Sequence, residues 1–292
     1  MSQNSLVSVI ITTYHREYHL LKRAIKSVKE QTYTNIEIIL VDDNGEGSKY
    51  QIGNNEIFSN DIRIKYIVNK VNSGAQFSRN VGILNATGDF VAFLDDDDYW
   101  ISNKILIQME EFDKEPSLGM VYCDGYIIQD DDTEHKKDYQ VFKEFGRLIT
   151  YEMLLDNDYI GTTTQVLIRK NVFAKSGLFD IDLPARQDYE MWIRIAKCSK
   201  VMGIDDHLFY HVIHNGEQIS KDSKKGCIGY YLIYKKNYKE YKNHRSSKCR
   251  IMLKIARFSF ESKCVFNGLL YCFKAFIANP FLFTKIAIRK GK

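Results

Sequence analysis

An apolar run stops at four consecutive aspartates in the stretch Gly88-Asp89-Phe90-Val91-Ala92-Phe93-Leu94-Asp95-Asp96-Asp97-Asp98-Tyr99-Trp100. Residues 90–94 have the unbroken apolar character of a parallel strand that is covered on both faces. Four neighbouring carboxylates repel one another unless a cation lies among them, and oxygen-rich sites suit Mg²⁺ or Mn²⁺. Because open α/β sheets bind ligands beyond the carboxyl ends of their strands, the pattern predicts a metal–diphosphate site at Asp95 to Asp97. The alternative is a solvated acidic loop.

The residues before this stretch repeat a strand–helix pattern, and polar residues follow each strand. The strands are predicted at Leu6–Ile11, Ile36–Val41 and Ile64–Val68. Amphipathic spacing predicts helices over residues 20–28 and 75–85. Such a series of βα units is typical of a doubly wound nucleotide-binding half. No glycine-rich phosphate loop is present, so the phosphates must be held in another way, which again favours a metal.

The second half of the chain has weaker patterns. We predict a helix over residues 103–114, a strand at Met120–Cys123 and another at Thr162–Ile168. A helix with an apolar face is predicted at Asp188–Ala196, whereas Ile204–Tyr210 mixes apolar and charged residues without a clear period.

Charge is divided unevenly along the 292 residues, although the formal net charge is only +4. Residues 221–292 hold 18 Lys and Arg against 3 Asp and Glu, whereas residues 1–220 hold 23 against 34. We therefore predict one α/β domain over residues 1–220, with a nucleotide-binding half (1–105) and an acceptor half (106–220). A basic, aromatic helical tail follows at 221–292.

The tail contains an apolar stretch, residues 266–288, which is interrupted by Lys274, Pro280 and Lys285. A membrane-spanning helix needs about 20 predominantly apolar residues, so a helix lying on a membrane surface fits better. The alternative is that these helices pack on the catalytic body. An anionic membrane surface suits the basic tail, and no nucleic acid partner is expected because no recognised motif is present. With no visible signal sequence, the expected location is the cytoplasm, with peripheral contact at the inner face of the plasma membrane.

Six motifs occur in order along the first 215 residues. They are Val-Ser-Val-Ile-Ile-Thr-Thr-Tyr, Val-Asp-Asp-Asn, Asn-x-Gly-x-x-x-x-Arg-Asn, Phe-Leu-Asp-Asp-Asp-Asp, Gly-Leu-Phe-Asp and Gln-Asp-Tyr-Glu-Met-Trp. In this order they resemble the family 2 glycosyltransferases of the GT-A fold. The resemblance implies a mixed, mostly parallel sheet flanked by helices, a nucleotide-diphosphate sugar as donor, a requirement for Mn²⁺ or Mg²⁺, and inversion of the anomeric centre.

The resemblance assigns donor-binding roles to residues at the strand ends. Thr12 and Tyr14 match residues beside the base, and Asp43 matches the aspartate that hydrogen-bonds the base ring. The chemistry agrees, because a carboxylate can accept from a uracil N–H. Helix capping is the alternative for Asp43. Arg79 matches a basic residue near the diphosphate, and its alternative is an ordinary surface arginine.

The metal site is carried over to the aspartate run. Asp95 and Asp97 match the Asp-x-Asp pair, with Asp97 expected as the direct ligand; Asp96 can take its place, because a run of four leaves the register open. His214 matches a histidine that some relatives place near the metal, where imidazole is a suitable ligand for Mn²⁺. His211 is the alternative.

Asp188 matches the catalytic base, a carboxylate that takes the proton of the acceptor hydroxyl as its oxygen attacks C1. A partner for the helix dipole is the alternative role. The Gln-x-x-Arg-Trp motif of the processive synthases is absent, so one sugar is expected to be added per encounter. The predicted acceptor is a hydroxyl of a cell-surface glycan or of a lipid-linked glycan, and UDP is the favoured donor nucleotide.

Two other functions compete with this hypothesis. A nucleotidylyltransferase also uses an α/β domain and Mg²⁺, but residues 12–17 lack the glycine-rich phosphate loop that such an enzyme usually carries. A non-catalytic nucleotide-sugar-binding module of a glycan-assembly complex could keep the fold, but the set of four aspartates (Asp43, Asp95, Asp97 and Asp188) argues against lost activity.

Overall fold

The computed structural model describes residues 5–129, 132–139, 148–213 and 222–290. Its strands are β1 (Val7–Thr13), β2 (Ile36–Asp42), β3 (Ile64–Val68), β4 (Phe90–Asp95), β5 (Tyr99–Trp100), β6 (Leu118–Gln129), β7 (Lys137–Asp138), β8 (Leu148–Ile149), β9 (Val166–Arg169) and β10 (Lys200–Ile213). Its helices are α1 (Tyr18–Lys29), α2 (Lys49–Phe58), α3 (Ala75–Asn85), α4 (Lys104–Lys114), α5 (Tyr151–Asp156), α6 (Phe173–Ser176), α7 (Gln187–Cys198), α8 (Ser223–Lys236), α9 (Tyr238–Asn243), α10 (Arg245–Glu261), α11 (Val265–Ala278) and α12 (Pro280–Lys290).

The strands form one mixed sheet in the order β3-β2-β1-β4-β9-β6-β10-β5, with β7 paired to β6 and β8 paired to β10. The four strands β3, β2, β1 and β4 are parallel to one another, and so is the long pair of β6 and β10. Strand β9 runs antiparallel between β4 and β6. The expected mixed, mostly parallel sheet flanked by helices is confirmed.

Burial explains why the first strands and helices form where the sequence places them. Residues 7–11 of β1 and 90–94 of β4 are buried, so the continuous apolar run of 90–94 and the apolar residues on either side of Ser8 match strands that are covered on both faces. Helix α1 buries Leu21, Ile25 and Val28 on one face, while its lysines lie on the other.

Three parts of the chain differ from the expectations. Helix α2 was not predicted, because it buries only Asn54 and Phe58 and so lacks an apolar period. The strand predicted from Thr162 begins only at Val166, and Thr163–Gln165 form a 3₁₀ turn instead. Strand β10 is 14 residues long, with an irregular register between Ile204 and His207 that explains its unclear sequence pattern.

Contacts divide the chain into two compact units. The first comprises Met1–Ile149, Ile160–Phe179 and Arg194–Asn215, and the second comprises Thr150–Tyr159, Asp180–Ile193 and Gly216–Lys292. The first unit contains the whole sheet. The second contains α8 to α12, which make up the helical extension expected at residues 221–292.

Candidate active site

Three neighbouring parallel strands end together at one edge of the sheet. In the register of β1, Thr12 lies opposite Val41 of β2 and opposite Asp95 of β4. Tyr14 and Asp43 follow directly after the ends of β1 and β2. The parallel register therefore brings four of the predicted donor-binding residues to the same edge, where open α/β sheets bind their ligands.

An aromatic stack lies at the end of β1. The ring of Tyr14 is 43% exposed and stacks on His15 with 4.0 Å between ring centroids, and His15 stacks on Tyr50 at 5.0 Å. His15 has a φ of 49°, and its N–H donates to Asn44 Oδ1 at 2.7 Å, which fixes this left-handed turn. The exposed Tyr14 ring is a surface on which a planar base can stack.

Asp43 is buried and holds the turn that leads into α3. Its Oδ1 accepts from Asn69 Nδ2 at 2.7 Å and from the Ser73 N–H at 2.9 Å, while its Oδ2 accepts from the Gly74 N–H at 2.8 Å. Gly74 has a φ of 89°, a conformation that favours glycine. Asp43 thus shapes the loop between β3 and α3, a structural role at the start of a helix like the capping role that the sequence left open.

The neighbouring Asp42 is a structural carboxylate. It is fully buried and accepts hydrogen bonds from Asn44, from Asn54 Nδ2 at 2.7 Å and from the Tyr66 hydroxyl at 2.7 Å. Burial, with this bond to Asp42, raises the pKa of Tyr66 well above its ordinary value. Every one of these donors is neutral, so the Asp42 charge is stabilised by hydrogen bonds alone.

Asp95 opens the aspartate run at the end of β4. Its Oδ1 pairs with Arg79 Nη2 at 2.8 Å, and the hydroxyls of Thr162 and Thr163 lie 3.1 and 3.3 Å from its oxygens. Burial opposes ionisation most strongly, but the Arg79 guanidinium, the Thr162 hydroxyl and His211 together lower the pKa of Asp95. Arg79 itself is buried, with the Phe179 ring 5.7 Å from its guanidinium, so it is not an ordinary surface arginine.

Arg16 bridges the next two carboxylates. Its Nε lies 2.8 Å from Asp96 Oδ1, and its Nη2 lies 2.9 Å from Asp97 Oδ2. Burial raises the pKa of Asp96 to about 7; the adjacent Asp97 charge adds to the rise, and Arg16 opposes it. Arg16 therefore contacts two adjacent carboxylates at once.

Asp98 is fully buried and pairs with His211. Its oxygens accept from the Thr164 hydroxyl at 2.9 Å and from the Val212 N–H at 3.1 Å, and the His211 Nδ1 lies 3.1 Å from Oδ1. Burial disfavours the imidazolium, but the Asp98 carboxylate, with smaller contributions from Asp95 and Asp97, raises the pKa of His211 to about 9. This ion pair fixes β10 beside the aspartate run and engages His211, the alternative metal ligand, with Asp98.

Exposure alternates along the run. The side chains of Asp95 and Asp97 are 29% and 19% exposed, whereas those of Asp96 and Asp98 are 8% and 0% exposed. The two more accessible carboxylates are thus the ones two residues apart. This is the spacing of the Asp-x-Asp pair, so geometry favours Asp95 and Asp97 over Asp96 as donors to a ligand.

Sequence reasoning missed the partners of these carboxylates. Arg16 was not chosen, nor was Arg23, whose Nη2 donates to the Asp97 carbonyl at 2.6 Å. The threonines at 162–164 were assigned to a strand rather than to the aspartates. Usable signals were the arginine three residues after the end of β1, a second arginine seven residues later on the amphipathic helix, and three consecutive hydroxyl side chains.

Two predicted site residues remain, Asp188 and His214. Asp188 belongs to the second unit, in the first turn of α7, where its side chain is partly exposed. A carboxylate in the first turn also interacts favourably with the helix dipole. His214 lies outside the described residues, so its role as a metal ligand stays a prediction.

The chemistry of the aspartate run fits a divalent cation. Among the described residues, no three side chains of His, Cys, Asp or Glu are grouped so as to hold a metal ion by themselves. Mg²⁺ commonly uses only one or two carboxylates and completes its shell with water and phosphate oxygens. Arg16 provides one positive charge for Asp96 and Asp97 together, so it acts as a partial substitute for such a cation.

Comparison with known families gives the protein its class. Residues 8–177, more than half of the chain, match the glycosyl transferase family 2 profile. The chain belongs to glycosyl transferase family 2. This matched range contains the β1, β2 and β4 strand ends, together with Arg79 and the threonines at 162–164.

Several curated relatives of this glycosyltransferase carry specific names. It is 32% identical over 203 residues to the UDP-Glc:alpha-D-GlcNAc-diphosphoundecaprenol beta-1,3-glucosyltransferase WfgD of Escherichia coli, covering 68% of this chain and 73% of that protein. It is 29% identical over 265 residues to the GalNAc(5)-diNAcBac-PP-undecaprenol beta-1,3-glucosyltransferase of Campylobacter jejuni, covering 81% and 84% respectively.

A solved structure matches the fold over nearly the whole chain. It is that of S. aureus TarS 1-349 in complex with UDP-GlcNAc, with a TM-score of 0.63 and 15% identity, covering 98% of this chain and 92% of that one. This match confirms the expected GT-A fold. The family match confirms the expected glycosyltransferase class and sets the nucleotidylyltransferase alternative aside.

Proposed function

We propose that the protein transfers a single sugar from a UDP-sugar to a hydroxyl of a lipid-linked glycan, with inversion at the anomeric carbon. The observation that carries this proposal is the convergence of Thr12, Asp43 and Asp95 at one sheet edge, where Asp95 begins a run of four carboxylates. UDP-glucose is the first donor to test, because UDP-Glc stands in the name of the WfgD relative.

The donor nucleotide would lie across the ends of β1 and β2. The exposed Tyr14 ring would stack on the base, and Thr12 would border it. Asp43 would accept from the uracil N–H with a lone pair that its three donors leave available, since a carboxylate offers about four acceptor sites.

The diphosphate would be bound at the aspartate run. Arg79 would interact with it while pairing with Asp95, and Asp96 would stay beside it, held by Arg16. A Mg²⁺ or Mn²⁺ ion held by Asp97, with His214, would supply positive charge to the departing diphosphate. Asp95 would lie beside the donor sugar and its phosphates.

Asp188 would act as the general base. A partly exposed carboxylate can take the proton of the acceptor hydroxyl while that oxygen attacks C1 of the donor sugar and the bond from C1 to the diphosphate breaks. Attack from the face opposite the leaving group inverts the configuration, and the proton ends on the carboxylate.

The acceptor would be a glycan on a diphosphate-linked polyprenol. The WfgD relative and the Campylobacter relative both carry undecaprenol linked through a diphosphate in the names of their acceptors. A lipid of that size stays in the bilayer, so the enzyme would work from the cytoplasm at the inner membrane surface.

The test is transfer of radiolabelled glucose from UDP-glucose to a synthetic diphosphate-linked polyprenyl GlcNAc, with Mn²⁺ present. We expect product with inverted anomeric configuration, and we expect Asp188→Asn to lower turnover by about a thousandfold while donor affinity stays within a few fold. Asp182→Asn is the matched control, an exposed aspartate six residues earlier. Unchanged turnover in Asp188→Asn would remove the base assignment, and absence of transfer with any nucleotide sugar would remove the proposed function.

A further inference from the structure

Helices α11 and α12 present an unusual distribution of side chains. Within α11 the buried residues are Gly268, Ala275 and Ala278, all small. Gly268 packs so closely that a Cβ placed there would lie 2.5 Å from the Phe260 ring. The face of α11 that packs on the rest of the second unit is therefore made of small residues. The large side chains of α11 lie on its other faces.

The large apolar side chains of these helices face outward. Of the 22 exposed large hydrophobic residues among those that the structure describes, nine lie within residues 265–288, whereas the others are scattered. Phe266 and Phe281 are 80% and 88% exposed. The nine are Val265, Phe266, Leu269, Leu270, Phe273, Phe276, Ile277, Phe281 and Ile288. A concentration of exposed apolar side chains of this kind marks a surface that binds a membrane or another protein.

The charge of this segment indicates which of these partners the surface binds. After Glu261 the chain has six Lys and Arg and no Asp or Glu. Lys263, Lys274 and Lys285 are exposed. An apolar segment whose charged residues are all cationic is complementary to a bilayer with anionic head groups. A second copy of the same face would bring lysines against lysines, which disfavours self-association.

Hydrogen bonds hold the junction of α11 and α12 against α10. At their junction, Arg245 Nε donates to the Ala278 carbonyl at 3.0 Å, and Asn279 Nδ2 donates to Ser246 Oγ at 3.2 Å. Asn279 Oδ1 also accepts from the Leu282 N–H at 3.1 Å, which caps the start of α12. This junction is thus bonded to the start of α10, so the helices do not form a loose tail.

Their length suits the membrane surface. Helices α11 and α12 have 14 and 11 residues, which at 1.5 Å per residue gives roughly 21 and 17 Å, against the roughly 30 Å of a hydrocarbon core. Within the described ranges, no helix combines the length and apolar composition that crossing a membrane requires.

We propose that the outward face of α11 and α12 inserts its phenylalanines into the surface of an anionic phospholipid bilayer, with the lysines at the head groups. This inference goes beyond the proposed function and rests on it only for the presence of a bilayer near the acceptor. It names the surface that holds the enzyme where a polyprenol-linked substrate is found.

The experiment is sedimentation of the full chain with vesicles of phosphatidylglycerol and phosphatidylcholine, and with vesicles of phosphatidylcholine alone. We expect binding to the anionic vesicles, and a loss of about tenfold or more in affinity for the triple variant Phe266→Ser, Phe273→Ser, Phe281→Ser. Lys274→Glu with Lys285→Glu should weaken binding to the anionic vesicles only. The matched control is Ile62→Ser, Val71→Ser, Leu84→Ser, three exposed apolar residues of the first unit, which should bind like the wild type.

Wild-type binding by the triple phenylalanine variant, or no vesicle binding by the wild type, would overturn the proposal. So would a dimer in vesicle-free sedimentation equilibrium that this variant dissociates, because a second copy would then cover the face. UDP-glucose affinity with Mn²⁺ is measured on the same samples. If no protein, the wild type included, bound UDP-glucose, the proposed function would be contradicted while the membrane result stayed intact.

Discussion

Two acidic clusters lie at the ends of β2 and β4, the strands on either side of β1, and they are held by different kinds of partner. After β2, Asp42 and Asp43 accept from amides, a hydroxyl and backbone N–H groups, all of them neutral. After β4, the run 95–98 is paired with two arginines and a histidine. Neutral donors in fixed positions hold a loop in shape, whereas a charged partner such as Arg16 can be exchanged for another cation. The comparison therefore assigns shape to the first cluster and charge to the second.

The largest effect should come from the charge cluster. We expect Asp97→Asn to lower metal-dependent turnover by about a thousandfold, because the charge that would hold the cation at the diphosphate is lost. The free energy of unfolding should stay within about 0.5 kcal/mol, because one of two repelling carboxylates is removed. Steady-state kinetics and urea denaturation measure the two quantities.

Asp89→Asn is the control for this substitution, since Asp89 is exposed at the opposite end of the same strand. It should leave turnover and stability unchanged. Wild-type turnover in Asp97→Asn would show that the charge of the run does not serve the reaction.

The shape cluster should respond in stability as well as in binding. In Asp43→Asn, one backbone N–H of the Ser73–Gly74 turn would face an amide N–H₂ in place of an oxygen. We expect the free energy of unfolding to fall by about 2–3 kcal/mol and the affinity for UDP to fall with it. Urea denaturation and calorimetry with UDP provide the measurements. A fully stable Asp43→Asn protein would break the contrast between the two clusters.

A smaller effect is expected at the threonines behind the charge cluster. Thr164 is buried, donates to Asp98 and accepts from the Asp95 N–H. Thr164→Val keeps the volume but removes both bonds, so stability should fall by about 1–2 kcal/mol. The control is Thr32→Val, which removes an exposed hydroxyl and should cost less than about 0.5 kcal/mol. Equal losses in the two variants would mean that Thr164 does not support the run.

The smallest effect should come from Arg16, the charged partner that a metal ion can replace. Arg16→Gln leaves Asp96 and Asp97 without their shared cation, so the metal-free protein should melt about 2 °C lower. Added Mn²⁺ should restore the melting temperature and bind more tightly than in the wild type. Arg63→Gln, at an exposed surface pair, is the control and should show no such response. Weaker Mn²⁺ binding in Arg16→Gln would mean that Arg16 helps to position the site rather than substituting for the metal.

The sequence predicted the strand ends well because the change from buried to exposed positions is visible there as a change from apolar to polar residues. Residues 90–94 are continuously apolar since both faces of β4 are covered, and the aspartates stand where that cover ends. The parallel order of the first strands followed from the βα repeat, and the motifs pointed to the family that the comparisons confirm. The roles of the individual site residues stay predictions.

The partners of the aspartates could not be predicted, because each contact joins distant parts of the chain. Arg16 and Asp96 are 80 residues apart, and Thr164 and Asp98 are 66 apart. The hydroxyls of Thr162 to Thr164 bond to carboxylates, and part of this segment is a 3₁₀ turn although its β-branched residues favour a strand. Helix α2 was missed for a different reason, since it buries too little to leave an apolar period.

The most direct test of the exchangeable charge cluster is calorimetric titration of UDP into the full chain, with and without Mn²⁺. We predict that Mn²⁺ raises the affinity of the wild type and of Asp89→Asn by about tenfold or more, and that Asp97→Asn loses this gain. Equal affinity with and without Mn²⁺ in the wild type, or a full gain in Asp97→Asn, would contradict the account.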